Sequence, residues 1–264
     1  MTAASTPLYR RIAGELRTAI RSGKLPPGSQ VPTEPELAEQ YGVSRGTVRV
    51  AVAELVSEGL VERSTRRGTI VRDLAPVTYY ATRAESDRPA AGAAAAGDAY
   101  IDEVRGQGRR PTQQLEVRVT EATDEIAARL WTGEGDTVVL RRCWRYVDGR
   151  PWSIQDSYYP QDIAEAAGLL EPGDIAGGTI RRMANAGHVE VGYVDEITAR
   201  PATTEEARWL ELGRGAAALV YVRTAYTTAR PVRLTTTVFG GDRQRLVYEL
   251  RDLTALYDGD HTPA

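Results

Sequence analysis

The sequence contains very few of the side chains that bind metals or form disulfide bonds. Among its 264 residues there are one cysteine, Cys143, and two histidines, His188 and His261. A single cysteine excludes a disulfide within the chain, and two histidines are too few for a multi-histidine metal site. We therefore expect neither a metal ion nor any other cofactor.

Long apolar runs are missing as well. No run approaches the roughly 20 residues that a membrane-spanning helix needs, and the N-terminus lacks the apolar core of a signal peptide. The hydrophobic fraction of 42% is ordinary for a globular protein. We expect a cytoplasmic protein without membrane contact, and the length of 264 residues favours two domains over one.

Lysine is almost absent, because Lys24 is the only one and arginine carries the rest of the positive charge. This charge is unevenly distributed. Residues 1–75 contain eleven basic and eight acidic residues, a net charge of +3, whereas the whole chain carries −3 and the remainder therefore −6. A basic first part and an acidic remainder predict that the first part faces DNA and the second does not.

Residues 33–71 have the layout of a winged helix-turn-helix. Thr33 begins a capping box before a first helix, which ends at Gly42. Ser44 caps a second helix that runs to about Glu58. Two short strands then follow, Leu60–Arg63 and Thr69–Arg72. A unit of this kind places its second helix in the major groove of DNA.

Four arginines of this unit suit contacts with DNA. Arg45 and Arg49 share one face near the start of the second helix, where guanidinium groups can reach guanine edges or phosphates. Arg66 and Arg67 lie at the tip of the hairpin and suit a phosphate or the minor groove. The alternative is a solvated basic surface. It is the better reading for any single arginine, and the weaker one for all four on this scaffold.

A third helix precedes the unit. Thr6-Pro7 reads as a cap followed by a first-turn proline. Four apolar residues then recur at i, i+4 spacing and predict a face buried in the core: Leu8, Ile12, Leu16 and Ile20.

Residues 7–73 resemble the DNA-binding domain of GntR-family transcription regulators. The matching stretches are LYRRIAGELRTAIRSGKLPPGSQVPTE, YGVSRGTVRVAVAELVSEGLVER and RRGTIV. From the resemblance and the pattern together, the expected DNA-binding residues are Thr33, Ser44, Arg45, Gly46, Thr47, Arg49, Arg66, Arg67 and Gly68. The family often has a DNA-contacting arginine where this chain has Pro35, so the usual operator sequence is not expected here.

The C-terminal half follows a segment of low complexity. Periodicity is lost from Asp73 to Ala99, and small residues dominate positions 89–97. We predict a DNA-binding domain over 1–75, a flexible linker over 76–97, an effector-binding and dimerisation domain over 98–258, and a tail over 259–264.

The second domain alternates short strands and helices, which predicts an α+β fold around an antiparallel sheet. The predicted strands are Leu115–Val119, Thr137–Leu140, Cys143–Val147, Pro151–Tyr158, Val189–Ala199, Ala218–Tyr226, Val232–Val238 and Leu246–Leu250. The predicted helices are Thr123–Trp131, Asp162–Leu170 and Thr204–Leu212. Asp148-Gly149 is a strong hairpin turn.

Residues 98–254 resemble the UTRA effector-binding domain of the HutC subfamily of GntR regulators. The resemblance rests on VDGRPWSIQDSYYP, ITARPATTEEARWLEL and RPVRLTTTVFGGDR in this order. It implies a fold like chorismate lyase and an effector that is a small polar metabolite, such as a sugar phosphate or another acid.

Five positions of that resemblance form the expected effector site: Cys143, Arg145, Gln155, Arg233 and Phe239. Several family members have arginine in place of Cys143, and glutamates in place of Gln155 and Arg233. Positive charge has therefore been moved rather than removed. We expect an acidic or polar effector shaped differently from a hexosamine phosphate. Each of these residues could instead be an ordinary core or surface residue.

The sequence as a whole predicts an effector-responsive transcription regulator, a repressor that binds a palindromic double-stranded DNA operator as a homodimer. Two alternatives remain open. The chain could be a constitutive plasmid-type or architectural DNA-binding repressor whose second domain only dimerises. The second alternative is a lyase-like enzyme, which the resemblance to chorismate lyase suggests. No paired general acid and base stand out, so no catalytic residue is expected.

Overall fold

The computed structural model describes residues 7–64, 67–72, 76–82, 99–213 and 215–249. The chain forms two compact units, which we call unit 1 (residues 1–75 and 201–216) and unit 2 (residues 76–200 and 217–264). Among the helices in the described ranges, none is long and apolar enough to cross a membrane.

The helices are α1 (Leu8–Arg21), α2 (Glu34–Tyr41), α3 (Arg45–Ser57), α4 (Ala99–Gly106), α5 (Asp124–Leu130), α6 (Gln161–Ala166), α7 (Gly178–Asn185) and α8 (Thr204–Trp209). The strands are β1 (Val61–Ser64), β2 (Gly68–Val71), β3 (Val77–Tyr80), β4 (Pro111–Glu121), β5 (Thr137–Val147), β6 (Arg150–Pro160), β7 (Gly192–Pro201), β8 (Ala217–Tyr226), β9 (Pro231–Gly240) and β10 (Gln244–Val247).

Unit 1 contains the predicted winged helix-turn-helix, and its helix boundaries are set by local capping. The Glu36 carboxylate accepts a hydrogen bond from the Thr33 backbone N–H at 2.7 Å, which completes the capping box before α2. Gly42 ends α2 with φ of 63°. The Ser44 hydroxyl then accepts the Thr47 N–H at 3.2 Å and starts α3.

The core of unit 1 lies between α1, α3 and the hairpin of β1 and β2. It is formed by Ile12, Ala13, Leu16, Val31, Leu37, Val48, Ala51, Val52, Leu55, Leu60, Val61 and Val71. The predicted core face of α1 is wrong at Leu8, which is 50% exposed. Leu8 is the first residue of α1, with Pro7 as the N-cap, and the buried residues of this helix begin one turn later, at Ile12. Thr6 is outside the described residues.

Unit 2 is built on a six-stranded sheet with the order β4-β5-β6-β9-β8-β7. The two strands predicted over residues 137–147 are one continuous strand, β5. It turns into β6 at Asp148 and Gly149, whose φ angles of 52° and 78° fit a type I′ hairpin. Strands β3 and β10 form a separate parallel pair.

The sheet buries side chains on both faces. Helix α5 packs on one face, which we call the outer face, where Ile126 and Leu130 contact Val138 and Leu234. The opposite, inner face is covered at one end by α6 and α7 and at the other end by α4 and β3. The covering side chains there are Ile163, Met183, Val77, Tyr100 and Val104.

Several boundaries predicted after residue 98 were wrong. The helix predicted over 162–170 ends at Ala166, since Gly168 adopts φ of 62° and leaves the helical conformation. Thr203, not Thr204, caps α8. The strand predicted over 189–199 spans 192–201.

Three elements were not predicted at all. Helices α4 and α7 were missed, and β3 lies inside the segment predicted to be an irregular linker. Strand β3 forms through its pairing with β10, in which Val77 lies opposite Gln244, so the information that specifies it is distant in sequence. The low-complexity stretch of the predicted linker, the end of the last predicted strand at Leu250 and the tail are outside the described residues.

Candidate DNA-binding and effector-binding sites

The start of α3 presents the predicted recognition residues to solvent. Arg45, Gly46 and Arg49 are exposed, whereas the apolar stripe of α3 is buried on its other side. The Ser44 and Thr47 hydroxyl groups are hydrogen-bonded to each other, with their oxygens 3.0 Å apart. This cap fixes the direction in which α3 leaves the turn before it.

Arg49 is held by a carboxylate that the sequence reading missed. Glu34, the first residue of α2, accepts hydrogen bonds from Nε of Arg49 at 3.2 Å and from Nη2 at 3.1 Å. The hydrogen bonds and the negative charge of Glu34 raise the pKa of Arg49. Arg63 of β1 approaches the same carboxylate at 4.0 Å. Glu34 therefore orients one of the predicted recognition arginines and lies close to a second basic group.

The Thr33 hydroxyl group is engaged in a hydrogen bond within the protein. Its Oγ1 donates a hydrogen bond to Oε2 of Glu36 at 2.8 Å within the capping box. Its side chain therefore positions α2, and any contact with DNA would share this hydroxyl with the cap.

The first residue of β2 in the wing requires glycine. Gly68 adopts φ of 71°, and a Cβ atom there would lie 3.0 Å from Nε2 of Gln30. Arg67 is exposed, and its backbone N–H donates to the Ser64 hydroxyl at 3.2 Å. Arg66 is outside the described residues.

The inner face of the sheet brings four of the five predicted effector residues into two adjacent rows. Cys143 lies opposite Gln155, and Arg145 lies opposite Ser153, which in turn lies opposite Phe239. Residues two apart on a strand share a face. Cys143, Arg145, Ser153 and Phe239 are buried, and Gln155 is half-buried.

Each buried member of these rows has a distinct environment. The guanidinium carbon of Arg145 lies 4.5 Å from the ring centroid of Tyr100, a favourable cation–π geometry. The Cys143 thiol donates to Oε1 of Gln113 at 3.4 Å. Phe239 packs in the apolar cluster of α4 and β3. The Ser153 hydroxyl is fully buried and has no hydrogen-bond partner among the described residues.

The fifth predicted residue, Arg233, forms a buried ion pair. Its Nε and Nη2 donate to the two carboxylate oxygens of Glu190 at 3.0 and 3.1 Å, and its Nη1 donates to Thr235 at 2.9 Å. Burial opposes the charge of the guanidinium, but the attraction and hydrogen bonds of Glu190 outweigh it and raise the pKa of Arg233. The sequence did not indicate this partner.

Two further buried arginines of the inner face were missed. Arg141 donates to the carbonyl oxygens of Leu169, Glu171 and Gly173 at 2.8, 2.8 and 2.5 Å. It therefore fixes the loop between α6 and α7. The period of two along β5 could have shown that Arg141 shares a face with Cys143 and Arg145.

Arg223 of β8 is the second missed arginine. It donates to both carboxylate oxygens of Asp195 at 2.7 Å, and its guanidinium lies 3.8 Å from the ring centroid of Tyr193. The hydroxyls of Tyr221 and Tyr248 also donate to Asp195, each at 3.0 Å. Burial raises the pKa of Tyr248 to about 12, so this hydroxyl stays protonated at neutral pH.

This face is rich in buried arginine. It carries four buried guanidinium groups, two of which pair with the carboxylates of Glu190 and Asp195: Arg141, Arg145, Arg223 and Arg233. Guanidinium groups bind carboxylates and phosphates in bidentate geometry. Within the described ranges, no group of three or more His, Cys, Asp or Glu side chains is arranged to hold a metal ion.

Comparison with known families matches both units. The family described as bacterial regulatory proteins of the gntR family matches residues 8–71. The UTRA domain matches residues 106–245.

Curated relatives match along nearly the whole chain. The HTH-type transcriptional repressor NagR of Bacillus subtilis is 29% identical over 252 residues, which cover 94% of this chain and 96% of that protein. An uncharacterized HTH-type transcriptional regulator of Rhizobium meliloti is 33% identical over 247 residues, with 92% and 94% covered.

Solved structures agree with these matches. A crystal structure assigned to the GntR family of transcriptional regulators superposes with a TM-score of 0.56 at 29% identity, covering 93% of this chain and 98% of that chain. PhnF from Mycobacterium smegmatis has the same TM-score at 22% identity, with 91% and 99% covered, and this likeness concerns the fold alone.

Proposed function

Because this chain belongs to the GntR family of bacterial regulatory proteins and carries a UTRA domain, it is a DNA-binding transcription regulator and not an enzyme, and we propose that it is a repressor released from DNA by an acidic or polar small molecule. The observation that carries this proposal is the group of four buried arginines on the inner face of unit 2. A similar protein, NagR, is named as a repressor, which supports the direction of regulation.

The DNA-binding surface that we propose consists of the start of α3 and the wing. Arg45 and Arg49 enter the major groove, where they read guanine edges or bind phosphates. Arg66 and Arg67 contact phosphates or the minor groove at the wing tip. Thr33, Ser44, Gly46, Thr47 and Gly68 bring the backbone close enough for these contacts.

The protein binds DNA as a homodimer in this proposal. One winged helix reads only a few base pairs, so a second copy related by twofold symmetry supplies the remaining specificity and the operator is a palindrome. Residues 1–75 bind DNA, and residues 98–258 bind the effector and form the dimer. The connection between them includes β3, and the tail is residues 259–264. A regulator of bacterial genes acts in the cytoplasm, where we place this protein.

The effector binds against Arg145 and Gln155 on the inner face. The guanidinium of Arg145 is buried over Tyr100 and suits a carboxylate or phosphate. Gln155 and the buried Ser153 hydroxyl offer hydrogen bonds to the polar remainder of the molecule. Cys143 and Phe239 shape the apolar side of the site, and Arg233 contributes through its pair with Glu190.

The effector acts on DNA binding only through a difference in its affinity for the free and DNA-bound protein. A residue that anchors the effector can therefore be removed without loss of DNA binding. This separation distinguishes an effector site from a dimerisation domain that binds no ligand.

The test begins with a panel of sugar phosphates, dicarboxylates and amino-acid-derived acids, screened for thermal stabilisation of the protein. DNA sites are selected from random duplexes, and release by the stabilising compound is measured. Arg145→Ala should bind the selected site like wild type but resist release. Arg118→Ala, a change at a half-exposed arginine of β4, should behave like wild type. Release of Arg145→Ala at the wild-type concentration would contradict the anchor, and a panel without any stabilising compound would favour the constitutive repressor.

A further inference from the structure

Small and apolar residues lie on the exposed side of α3, beside the predicted recognition arginines. Among the residues that the structure describes in unit 1, two large apolar side chains are exposed: Leu8 at 50% and Val50 at 51%. Leu8 lies at the start of α1. Val50 directly follows Arg49 on the helix that is proposed to enter the major groove.

Gly46 and Ala53, one turn before and one turn after Val50, are small and uncharged, whereas Glu54 beside them pairs with Arg17. At 100° per residue, Gly46, Val50 and Ala53 fall within an arc of roughly 60°, opposite the buried stripe of α3, and all three are exposed. Solvated helix faces normally carry charged or polar residues. A face of this composition suits close contact with a surface that is itself partly apolar.

Gly46 supplies a second, independent observation. Gly46 is the second residue of α3, glycine is a poorer helix former than alanine, and internal packing does not require it here. A Cβ atom at Gly46 would meet only the Ser44 hydroxyl, at an ordinary contact distance of 3.6 Å. Because Gly46 has no side chain, the helix backbone one turn before Val50 can approach a bound surface closely.

We propose that Val50 is a specificity-determining residue that contacts the C5-methyl group of one thymine in each half-site. This inference rests on the proposed entry of α3 into the major groove. In that groove the thymine methyl group is the one apolar feature of the base edges, and small apolar side chains recognise it. Arg45 and Arg49 select guanine or phosphate, and Val50 adds a choice of thymine over cytosine, which lacks the methyl group.

The experiment removes this methyl group alone. A site is selected from random duplexes with the wild-type protein, and each of its thymines is then replaced in turn by uracil, which keeps every hydrogen-bonding group. At one thymine in each half-site, replacement by uracil should lower the affinity of the wild-type protein about fourfold, which is the effect of one buried methyl group. Val50→Ala should bind the thymine and uracil forms of this position equally.

The controls separate folding, surface and function. Val50→Ala replaces an exposed β-branched residue by a better helix former, so its thermal unfolding midpoint should not fall. Leu8→Ala removes the other large exposed apolar side chain among the described residues of the unit and should keep the wild-type response to uracil. The proposal is overturned if no thymine shows the effect, or if Val50→Ala retains it. A wild-type protein that selects no sequence would instead contradict the proposed DNA-binding function.

Discussion

The buried pair of Glu190 and Arg233 allows a quantitative test of the inner face. The Glu190 side chain is 0% exposed and that of Arg233 is 9% exposed, with two hydrogen bonds between them. Glu190→Gln keeps the size of the side chain and removes its charge. The guanidinium would stay protonated, since arginine does not lose its proton in proteins. A buried positive charge without its carboxylate should lower the free energy of unfolding by about 3–5 kcal/mol.

The size of this effect reflects the loss of one partner rather than the net contribution of the pair. Burying both charges costs several kcal/mol, which their attraction roughly offsets. The double variant Glu190→Leu/Arg233→Met replaces both with apolar groups of similar size. It should therefore lie within about 1 kcal/mol of wild type. A large loss in the single variant and a small one in the double variant together identify a coupled buried pair.

The assay is thermal and urea unfolding of the full chain, followed by tryptophan fluorescence, since Trp144 and Trp152 lie in the same sheet. The single variant should unfold roughly 6–20 °C below wild type. Glu171→Gln is the matched control, because Glu171 pairs with Arg182 at 3.1 Å but is 66% exposed. Exposed pairs contribute less than about 1 kcal/mol. If Glu190→Gln loses no more stability than Glu171→Gln, the reasoning about the buried pair is refuted.

Three further outcomes are expected. Glu34→Gln should raise affinity for non-specific DNA, because it removes a negative charge beside Arg49 and Arg63. It should also lower discrimination between selected and scrambled sites. Titrations at several salt concentrations check this, and unchanged discrimination would contradict the orienting role. The hydrogen bonds from Arg17 lower the pKa of Glu58, so its stabilising contribution is present above the ordinary pKa and is lost as the pH falls. The stability difference between wild type and Glu58→Gln should thus shrink from about pH 6 to about pH 3, and a constant difference would exclude the pair. A fragment of residues 76–264 should have the mass of a dimer by light scattering. Its unfolding temperature should exceed that of a fragment of residues 98–264, which lacks β3 and the buried Val77. Equal unfolding temperatures would show that β3 contributes nothing to the core.

Unit 1 was predictable because the sequence signals of its elements are local. The capping box at Thr33, the glycine after α2 and the cap at Ser44 each act within four residues of the boundary that they set. The wrong prediction that Leu8 is buried also arises because the sequence signals are local. Periodicity shows which residues share a helix face, but it does not show where the neighbouring elements stop covering that face.

Unit 2 was predictable in its strands and less so in its contacts. The alternation in β5 and the turn at Asp148 specified the central hairpin within a few residues. The partners of the buried arginines were not visible, since Glu190 lies 43 residues before Arg233 and Asp195 lies 28 before Arg223. Strand pairing and buried ion pairs between distant segments depend on tertiary packing.

These long-range pairs change the interpretation of the altered effector positions. The sequence suggested that Arg233 brings a new positive charge to the site, but Glu190 neutralises it within the fold. Arg223 is neutralised by Asp195 in the same way, and Arg141 is committed to the carbonyl oxygens of the loop before α7. Arg145 contacts the Tyr100 ring and lies opposite Gln113 and Ser153 in the strand register. In our proposal the anionic group of the effector meets Arg145. Cys143 stands where several family members have arginine and supplies no second guanidinium, so we expect an effector with one acidic group at this end.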